Sequence, residues 1–487
     1  MTPELALGLA LAIPAIGGVL VSLLGRYPNI REGATLLASV LLAANIAYLI
    51  SVTGQRPELE LLNLGSGLSL SLKLEPLGAL FAAVASGLWI VNSLYSIGYM
   101  RGNGEKNQTR FYVCFTIAIA SAMGVALSAN LLTMFLFYEA LTLSTYPLVA
   151  HKGDAKARRG AAIYLSILLG TSIGLLLPAI IAVQYLTGTT EFTLGGILAG
   201  SASPLVTGIL LVMFVFGIGK AALMPVHPWL PNAMVAPTPV SALLHAVAVV
   251  KAGVFAVLKV ATYIFGPTMI QAAPTSDALA WIAAASIVVA SLIALTKDNL
   301  KARLAFSTVS QLSYVTLGAM IASPLALMGA ALQIVMHAWA KITLFMCAGA
   351  IYTATGKTEI SQMRGLGRLM PWTFAAFAVG AFSVIGLPPF GGTWPKLYLM
   401  LGSMEAGHAA LIGALILSSI LNVAYLMPLP GRGFYDKPDI KELPKRTPIL
   451  VVLPPVITAA GATALFFLID PLRAFLAPVF EAGLPTP

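Results

Sequence analysis

Apolar stretches of about 20 residues recur along almost the whole of this 487-residue chain. Each is long enough to cross about 30 Å of hydrocarbon, because a helix rises about 1.5 Å per residue. Charged residues make up only 9% of the chain, whereas soluble domains typically contain about 25%. The sequence therefore predicts an all-α polytopic membrane protein.

We predict about fourteen transmembrane helices. They lie near residues 5–24, 34–53, 77–99, 111–128, 131–150, 161–186, 204–224, 239–266, 278–296, 304–322, 325–352, 371–400, 407–428 and 447–469. The first apolar run follows Met1-Thr-Pro-Glu4, which lacks the positive charge of a signal peptide. We therefore expect the first span to be retained.

The net charge of +10 is distributed in a pattern that predicts membrane topology. Twenty basic residues fall in the loops after odd-numbered spans: Arg26, Arg31, Arg101, Lys106, Arg110, Lys152, Lys156, Arg158, Arg159, Lys297, Lys301, Arg303, Lys357, Arg364, Arg368, Arg432, Lys437, Lys441, Lys445 and Arg446. The opposite side holds only Arg56, Lys73 and Arg473. The positive-inside rule then predicts a protein of the inner (cytoplasmic) membrane with both termini on the outer, periplasmic side. The alternative, a basic patch for an acidic partner such as nucleic acid, is disfavoured by this distribution, and we expect no nucleic-acid binding.

A small set of titratable residues lies inside the predicted spans, where charge is costly and usually functional. The set comprises Glu139, Lys220, His245, Lys251, Lys259, His337, Lys341 and Lys396. The alternative for each lysine is that its long side chain reaches the lipid headgroups. Lys259, near the outer end of its span, fits this alternative best. A lysine buried among apolar groups can instead gain and lose a proton near neutral pH. Glu139 is the only carboxylate within the predicted spans.

Spacing along single helices places some of these residues on common faces. His337 and Lys341 are four residues apart, so they share one face of span eleven. Lys251 is six residues beyond His245 and points elsewhere, so we expect a water or a second helix to link them. Span ten carries a polar stripe, which predicts either hydrogen bonds between helices or a water-filled path. The stripe consists of Ser307, Ser310, Gln311 and Tyr314.

Two segments combine a lysine with prolines and predict broken helices. One follows Lys220 and contains Pro225, Pro228 and Pro231; the other is the run from Gly386 to Lys396. Irregular backbone at membrane depth lines cavities, and paired interruptions indicate inverted repeats. The breaks fall in spans seven and twelve, so the odd offset of five predicts two inverted five-helix repeats.

These motifs carry a family resemblance. The stretch from Lys220 through Met-Pro-Val-His-Pro-Trp-Leu-Pro to Val254 closely resembles the antiporter-like subunits of respiratory complex I and of Mrp-type Na+/H+ antiporters. The segments 297–314, 337–341 and the approach to Lys396 are also similar to that family. The shorter members, including the D-type Mrp subunit and counterparts in membrane-bound hydrogenases, are the most similar in length.

The resemblance implies a fourteen-helix subunit that translocates protons. A glutamate on the fifth span pairs with a lysine on the seventh, and titratable residues on the eighth, eleventh and twelfth spans continue the path. Carried onto this sequence, these are Glu139, Lys220, His245, Lys251, His337, Lys341 and Lys396. We expect N-terminal helices 1–3 in residues 1–110, inverted repeats in 111–266 and 278–428, and a cytoplasmic loop with helix 14 in 429–487.

The chain shows no module that could supply energy for transport, so we expect other subunits to supply it. We expect no cofactor and no metal site, since Cys114 and Cys347 lie in separate spans and no nucleotide-binding motif is complete. The expected partners are other membrane subunits, including further antiporter-like subunits. The expected transported ion is the proton, and transport of Na+ stays open. Two functions stay open: a subunit of a redox-driven complex, or a component of a cation/proton antiporter.

Overall fold

The computed structural model describes residues 2–65 and 67–480, without the side chain of residue 245. The described chain is mostly helical. Its N-terminal helices are α1 (Pro3–Leu23), α2 (Pro28–Ser51), α3 (Pro76–Gly102), α4 (Gln108–Ala126), α5 (Leu131–Val149), α6 (Ala155–Thr171) and α7 (Leu177–Thr187). The central helices are α8 (Pro204–Gly217), α9 (Trp229–Asn232), α10 (Thr238–Ala242), α11 (Val249–Val260), α12 (Pro267–Ala272) and α13 (Pro274–Thr296).

The second half continues the same pattern. It contains α14 (Leu300–Ile321), α15 (Pro324–Thr355), α16 (Leu366–Leu369), α17 (Pro371–Ile385), α18 (Thr393–Glu405), α19 (Ala409–Leu426), α20 (Pro428–Tyr435), α21 (Ile449–Phe467) and α22 (Ile469–Phe480). Within the described residues, eleven helices or helix pairs are long and apolar enough to span a membrane, and α8 and α17 are shorter apolar helices. The predicted polytopic helical fold is confirmed, while the count of fourteen spans stays a prediction.

Prolines and polar caps begin many of these helices. Pro3, Pro28 and Pro76 occupy first-turn positions, where the missing backbone N–H is not needed. Asn130 accepts a hydrogen bond from the Thr133 N–H and so caps α5. These local signals explain why the helices begin close to the predicted starts.

The bundle has a buried centre and an apolar periphery. In the most apolar 18-residue window of each helix, 94% of the residues are buried in α14 and in α15, against 39% in α1 and in α2. The outer helices therefore present their apolar side chains away from the protein. The central helices touch mainly other helices, so their polar side chains must find partners within the protein.

Both predicted helix breaks are present. After α8 ends at Gly217, a single 3₁₀ turn, Gly219–Ala221, carries Lys220 and the chain does not become helical again until α9. The second break separates α17 from α18, and Lys396 lies in the first turn of α18. The division of the chain into inverted repeats and into four parts stays a prediction.

The structure also contains elements that the apolar pattern did not predict. A two-stranded antiparallel hairpin, β1 (Glu58–Gly65) and β2 (Leu68–Lys73), lies between α2 and α3. Three single π-helical turns occur within residues 2–65 and 67–480, at Ser172–Leu176, Leu243–Val247 and Ala261–Phe265. Two of these turns flank α11, so the segment from α10 to residue 265 is one interrupted span.

Candidate functional site

Lys220 is fully buried in the break after α8. Its Nζ donates to the backbone oxygen of Tyr138 at 2.8 Å and to Thr142 Oγ1 at 2.5 Å, both on α5. The ammonium also lies 3.1 Å from the centre of the Tyr138 ring. Trp229 Nε1 donates to the Gly219 carbonyl that the break frees. The broken backbone is thus satisfied, and the ammonium projects onto α5.

Glu139, the predicted partner of Lys220, follows Tyr138 directly on α5. Its carboxylate oxygens are buried and accept no hydrogen bond from the described residues. Among those residues Glu139 forms no ion pair, although Lys220 Nζ contacts the carbonyl of the preceding residue, Tyr138. The structure therefore places the two groups near each other with Lys220 held by Tyr138 and Thr142, and their pairing stays a prediction.

Lys251 and His337 are in direct contact. Lys251 Nζ on α11 lies 2.6 Å from His337 Nδ1 on α15, and both side chains are buried. A hydrogen bond between two nitrogens needs one donor and one acceptor, so one of the two nitrogens must be unprotonated. The contact joins span eight to span eleven, while the predicted link between His245 and Lys251 stays a prediction.

Lys341 begins a chain of polar groups that joins three helices. Its Nζ donates to Ser307 Oγ on α14 at 2.6 Å. The Tyr425 hydroxyl on α19 lies 2.8 Å from Ser307 Oγ and contacts Asn422 Oδ1. Ser307 Oγ thus accepts from both Lys341 and the Tyr425 hydroxyl, and the single Tyr425 proton is shared between Ser307 Oγ and Asn422 Oδ1, an oxygen that only accepts. We call this run the α14–α19 chain.

Lys396 lies at the second break, where it contacts the end of α17 and helix α19. Its Nζ donates to the Ile385 carbonyl at the end of α17 at 2.6 Å and to Ser419 Oγ on α19 at 2.8 Å. A cation at the C-terminal end of a helix is favourable because free carbonyls carry partial negative charge there. The Tyr314 ring centre lies 5.4 Å from the same ammonium. Lys396 therefore caps a helix in addition to any role in transport.

His245 and the polar stripe of α14 complete the set of predicted residues. His245 lies in the π-helical turn Leu243–Val247, but its side chain is outside the described part of the structure. In the polar stripe of α14, Ser310 contacts Ser291 and Ser418, and the side chain of Gln333 donates to Gln311. These bonds support the predicted contacts between helices, while Ser307 belongs to the α14–α19 chain.

The structure corrects the prediction for Lys259 and for the number of buried carboxylates. Lys259 does not reach the surface: it is fully buried, donates to the Ser128 carbonyl at 2.6 Å and lies 3.5 Å from Glu75 Oε2. Glu75 and Glu32 are both buried, at 7% and 3% exposure. Both precede predicted spans, at residues 34 and 77, and so were not among the predicted buried titratable residues. Glu75 is the N-cap of α3, and Glu32 lies in the first turns of α2. These positions beside a helix start were the sequence signal available for their burial.

Two cavities lie at opposite ends of the segment that contains α11. The larger, about 790 Å³, is lined near the start of α10 by Ala236 and Thr238. Its basic side chains are Lys152, Lys156, Arg159, Lys301 and Lys357, and we call it the basic vestibule. The smaller, about 260 Å³, is lined by Glu75 and by Tyr263, just after α11, and we call it the distal cavity.

The helical run from Thr238 to Tyr263 connects these cavities through the protein. At about 1.5 Å per residue it measures roughly 35 Å, which matches the thickness of a membrane's hydrocarbon core with part of its interfaces. Lys251 lies near its middle. The Lys251–His337 contact is therefore roughly as far from one cavity as from the other.

The arrangement is suited to moving protons. Lys220, Lys251, Lys341 and Lys396 with His337 form what we call the lysine row, buried side chains whose polar partners are mostly neutral. Such groups exchange protons more readily than lysines held in strong ion pairs, because no fixed negative charge retains the ammonium form. The described residues contain no cluster of three or more side chains suited to a metal ion.

The fold and the lysine row define a multi-span membrane protein with titratable groups at its centre. Residues 128–422 match the family model for the transmembrane part of NADH:quinone oxidoreductase and Mrp antiporter subunits. The chain belongs to this NADH:quinone oxidoreductase/Mrp antiporter family, as the motifs around Lys220 and Lys251 predicted.

Relatives on both branches of the family are similar to this chain. NADH-quinone oxidoreductase subunit N of Desulforudis audaxviator (strain MP104C) is 31% identical over 418 residues, which cover 81% of each chain. The A-type component of the Na+/H+ antiporter of Bacillus subtilis (strain 168) is 32% identical over 427 residues, which cover 81% of this chain and 52% of that protein. The chain thus spans about half the length of that antiporter component.

A solved structure supports the same fold. A chain of the Mrp complex from Dietzia sp. DQ12-45-1b superposes with a TM-score of 0.87 at 20% identity, covering 99% of this chain and 98% of that one. At this identity the likeness concerns the fold alone.

Proposed function

We propose that this chain is the proton-translocating, antiporter-like membrane subunit of a complex I-related, redox-driven multisubunit complex. Protons move along the lysine row and Glu139, and the energy enters through other subunits. The observation that carries the proposal is the 2.6 Å contact between Lys251 and His337, roughly midway between the two cavities. A buried pair of nitrogens that must leave one position unprotonated is a site where a proton can be passed on.

The route begins at the basic vestibule. Protons enter there near Thr238, pass His245 to Lys251 and His337, and continue along α15 to Lys341. They leave toward Lys396 by way of the α14–α19 chain and its neighbours. Glu139 gates the first half of this route. Its approach to Lys220 favours the ammonium form of the lysine, and its withdrawal disfavours that form. In this structure Lys220 is held by Thr142 and the Tyr138 carbonyl, which corresponds to the withdrawn arrangement.

The match to the oxidoreductase relative covers 81% of both chains, and this equal coverage supports the assignment to a redox-driven complex. Moving one charge against 150 mV costs about 3.5 kcal/mol, which the chain's own motifs do not supply. The alternative, a D-type component of an Mrp cation/proton antiporter, is supported by the structural likeness to an Mrp complex. For Na+ transport the lysine row is poorly suited, because hard cations prefer oxygen ligands.

The partners we propose are other membrane subunits, including further antiporter-like subunits. The complexes named for its relatives contain several subunits, and the outer helices of this chain expose large apolar side chains, as on α2 and α19. We assign the chain to the cytoplasmic membrane with both termini outside.

Proton uptake into inverted membrane vesicles tests the proposal. Lys220→Met and Glu139→Gln in the host complex should each lower the initial rate at least tenfold per assembled complex. The exposed Lys441 supplies a matched control, since Lys441→Met changes the same charge outside the row. Normal uptake by assembled Lys220→Met complexes would contradict proton translocation by this chain.

The driving force is tested in the same vesicles. A redox-driven complex acidifies the vesicle interior when an electron donor is added and does so without Na+. An antiporter leaves the donor-driven gradient to other enzymes and dissipates it when Na+ is added. Identification of the co-purifying subunits gives an independent answer, because redox-cofactor subunits accompany only the first.

A further inference from the structure

The ion pair between Glu75 and Lys259 lies apart from the lysine row. We infer that Glu75 and Lys259 form a proton port that connects the lysine row to the distal cavity. The inference rests on the proposed function, since it assigns a water-facing end to the same proton path. It differs from the route toward Lys396, because it opens in the first half of the molecule.

The first argument is the geometry of the pair. Lys259 Nζ lies 3.5 Å from Glu75 Oε2, and that oxygen accepts no hydrogen bond from the described residues. The ammonium is instead held by the Ser128 carbonyl at 2.6 Å and by the ring of Phe192, 4.3 Å from its centre. A structural ion pair at full burial is stable only with close hydrogen bonds, because desolvation of both charges is costly. This pair is looser than that.

The second argument is access to water. Glu75 lines the distal cavity, whose volume of about 260 Å³ is large enough for several water molecules. Exposed Thr193 and the end of α22, at Pro478 and Val479, also line it. A proton on the Glu75 carboxyl can therefore pass to water, while Lys259 behind it is sealed from solvent.

The third argument is connection to the lysine row. Lys259 and Lys251 lie on the same helix, α11, eight residues and about 12 Å apart along its axis. Lys251 contacts His337, so the port continues the path from the membrane centre toward the face opposite the basic vestibule. The inference requires water molecules to bridge the remaining distance between the two lysines.

Other charged groups surround the pair. Lys73 on β2 and Arg56 line the distal cavity, and Lys73 lies 3.8 Å from Glu58. Glu191 accepts a hydrogen bond from Asn130, and burial raises the pKa of this loop carboxyl. The charged lining of the distal cavity therefore consists of Arg56, Lys73 and Glu75.

The proton step is balanced. The Lys259 ammonium gives a proton to the Glu75 carboxylate, which leaves a neutral amine and a carboxylic acid. The acid releases the proton to cavity water and becomes a carboxylate again. The neutral amine of Lys259 then takes up a proton from the side of Lys251. The reverse order takes a proton in, so the port serves either direction of transport.

Substitutions separate a proton port from a structural ion pair. In the full complex in inverted vesicles, Glu75→Gln and Lys259→Arg should each lower proton translocation at least tenfold at normal assembly. Arginine keeps the positive charge but does not release its proton, so a structural pair tolerates it and a port does not. Native rates in both assembled variants, with Lys220→Met inactive, overturn the port. Native rates in Lys220→Met as well overturn the proposed function.

A second measurement does not depend on how these variants fold. In a background with Cys114→Ser and Cys347→Ala, Thr193→Cys is modified after assembly with a bulky, charged, membrane-impermeant thiol reagent. Modification should lower translocation at least threefold, because it obstructs the distal cavity. Ser201→Cys, exposed in the same loop but outside the cavity lining, is the matched control. Equal rates before and after modification of Thr193→Cys, or equal losses at both positions, overturn the port.

Discussion

The buried lysines of this protein have different chemical surroundings despite similar burial. Lys259 faces a carboxylate, Lys396 caps the end of α17, and Lys251 contacts an imidazole. A carboxylate favours the ammonium form but can also take up its proton, a helix end favours the ammonium weakly, and a nitrogen partner competes for the proton directly. The partner therefore decides which lysine transfers a proton most readily, and Lys251 is the strongest candidate.

Lys251→Met tests this residue directly. Methionine fills a similar volume without a titratable group, so we predict at least a tenfold loss of proton translocation with normal assembly. The measurement is the initial rate of vesicle acidification per assembled complex, with Lys441→Met as control. A native rate would remove Lys251 from the path.

Tyr425→Phe tests the α14–α19 chain. The substitution removes the hydroxyl between Ser307 and Asn422 and leaves Lys341 bonded to Ser307. We predict a loss of about 1 kcal/mol in stability, typical of a buried hydrogen bond, and a translocation rate several-fold lower. Thermal unfolding of the solubilised complex and the vesicle assay measure the two effects. An unchanged rate with lowered stability would mean that the chain is structural only.

At the scale of elements, the two breaks are held in different ways. The first break is crossed closely by α11: a Cβ on Gly253 would overlap the carbonyl carbon of Lys220. The second break is tied to α21 by the Gly391 N–H, which donates to the Ala462 carbonyl. Helix α11 therefore positions both Lys251, on itself, and Lys220, on the break that it packs against.

Gly253→Val should displace the first break. The added side chain overlaps backbone atoms that cannot rotate away, and overpacking of this kind typically costs about 1–3 kcal/mol. We predict lower thermal stability and a loss of translocation larger than the stability change explains, because Lys220 moves from Tyr138. The control is Gly87→Ala on α3, where a Cβ meets nothing within 4 Å. Equal behaviour of the two variants would contradict the close approach.

At the scale of the molecule, the two cavities define two faces. The basic vestibule collects five basic side chains from three separate parts of the chain, whereas the distal cavity has Arg56 and Lys73 with Glu75. The loops of the vestibule are those that the charge distribution assigns to the cytoplasm. The fold thus brings together on one face the residues that topology predicts on one side of the membrane.

This topology is testable with single cysteines. In the background without Cys114 and Cys347, Thr358→Cys lies in the vestibule and Thr193→Cys in the distal cavity, both at exposed positions. We predict that an impermeant thiol reagent labels Thr193→Cys in intact spheroplasts and Thr358→Cys only in inverted vesicles. Labelling of both from the same side would contradict the orientation and the positions of the two cavities.

Much of the fold followed from residue types alone. Apolar runs of membrane length predicted the helices, and the proline and glycine clusters near Lys220 and Lys396 predicted the breaks, because proline removes a backbone donor wherever it occurs. The hairpin β1–β2 was missed because its alternating leucines resemble neither a span nor a polar loop.

The candidate site was predicted as a set of positions rather than as contacts. A lysine inside an apolar run is unusual in any fold, so Lys220, Lys251, Lys341 and Lys396 were identifiable without neighbours. Their partners were not, since hydrogen bonds between helices depend on which faces pack together. Lys259 illustrates the difference: its position near the end of a span suggested a route to the headgroups, and packing instead enclosed it with Glu75.

The amino-acid order was sufficient to establish a membrane protein with charged groups in its interior, because hydropathy and the cost of buried charge are properties of individual residues and short segments. Which titratable groups meet, which carboxylates become buried and where water reaches them arise from the packing of helices distant in sequence. Lys251 and His337 are 86 residues apart and Lys259 and Ser128 are 131 apart. Contacts over such separations exist only once the bundle has formed.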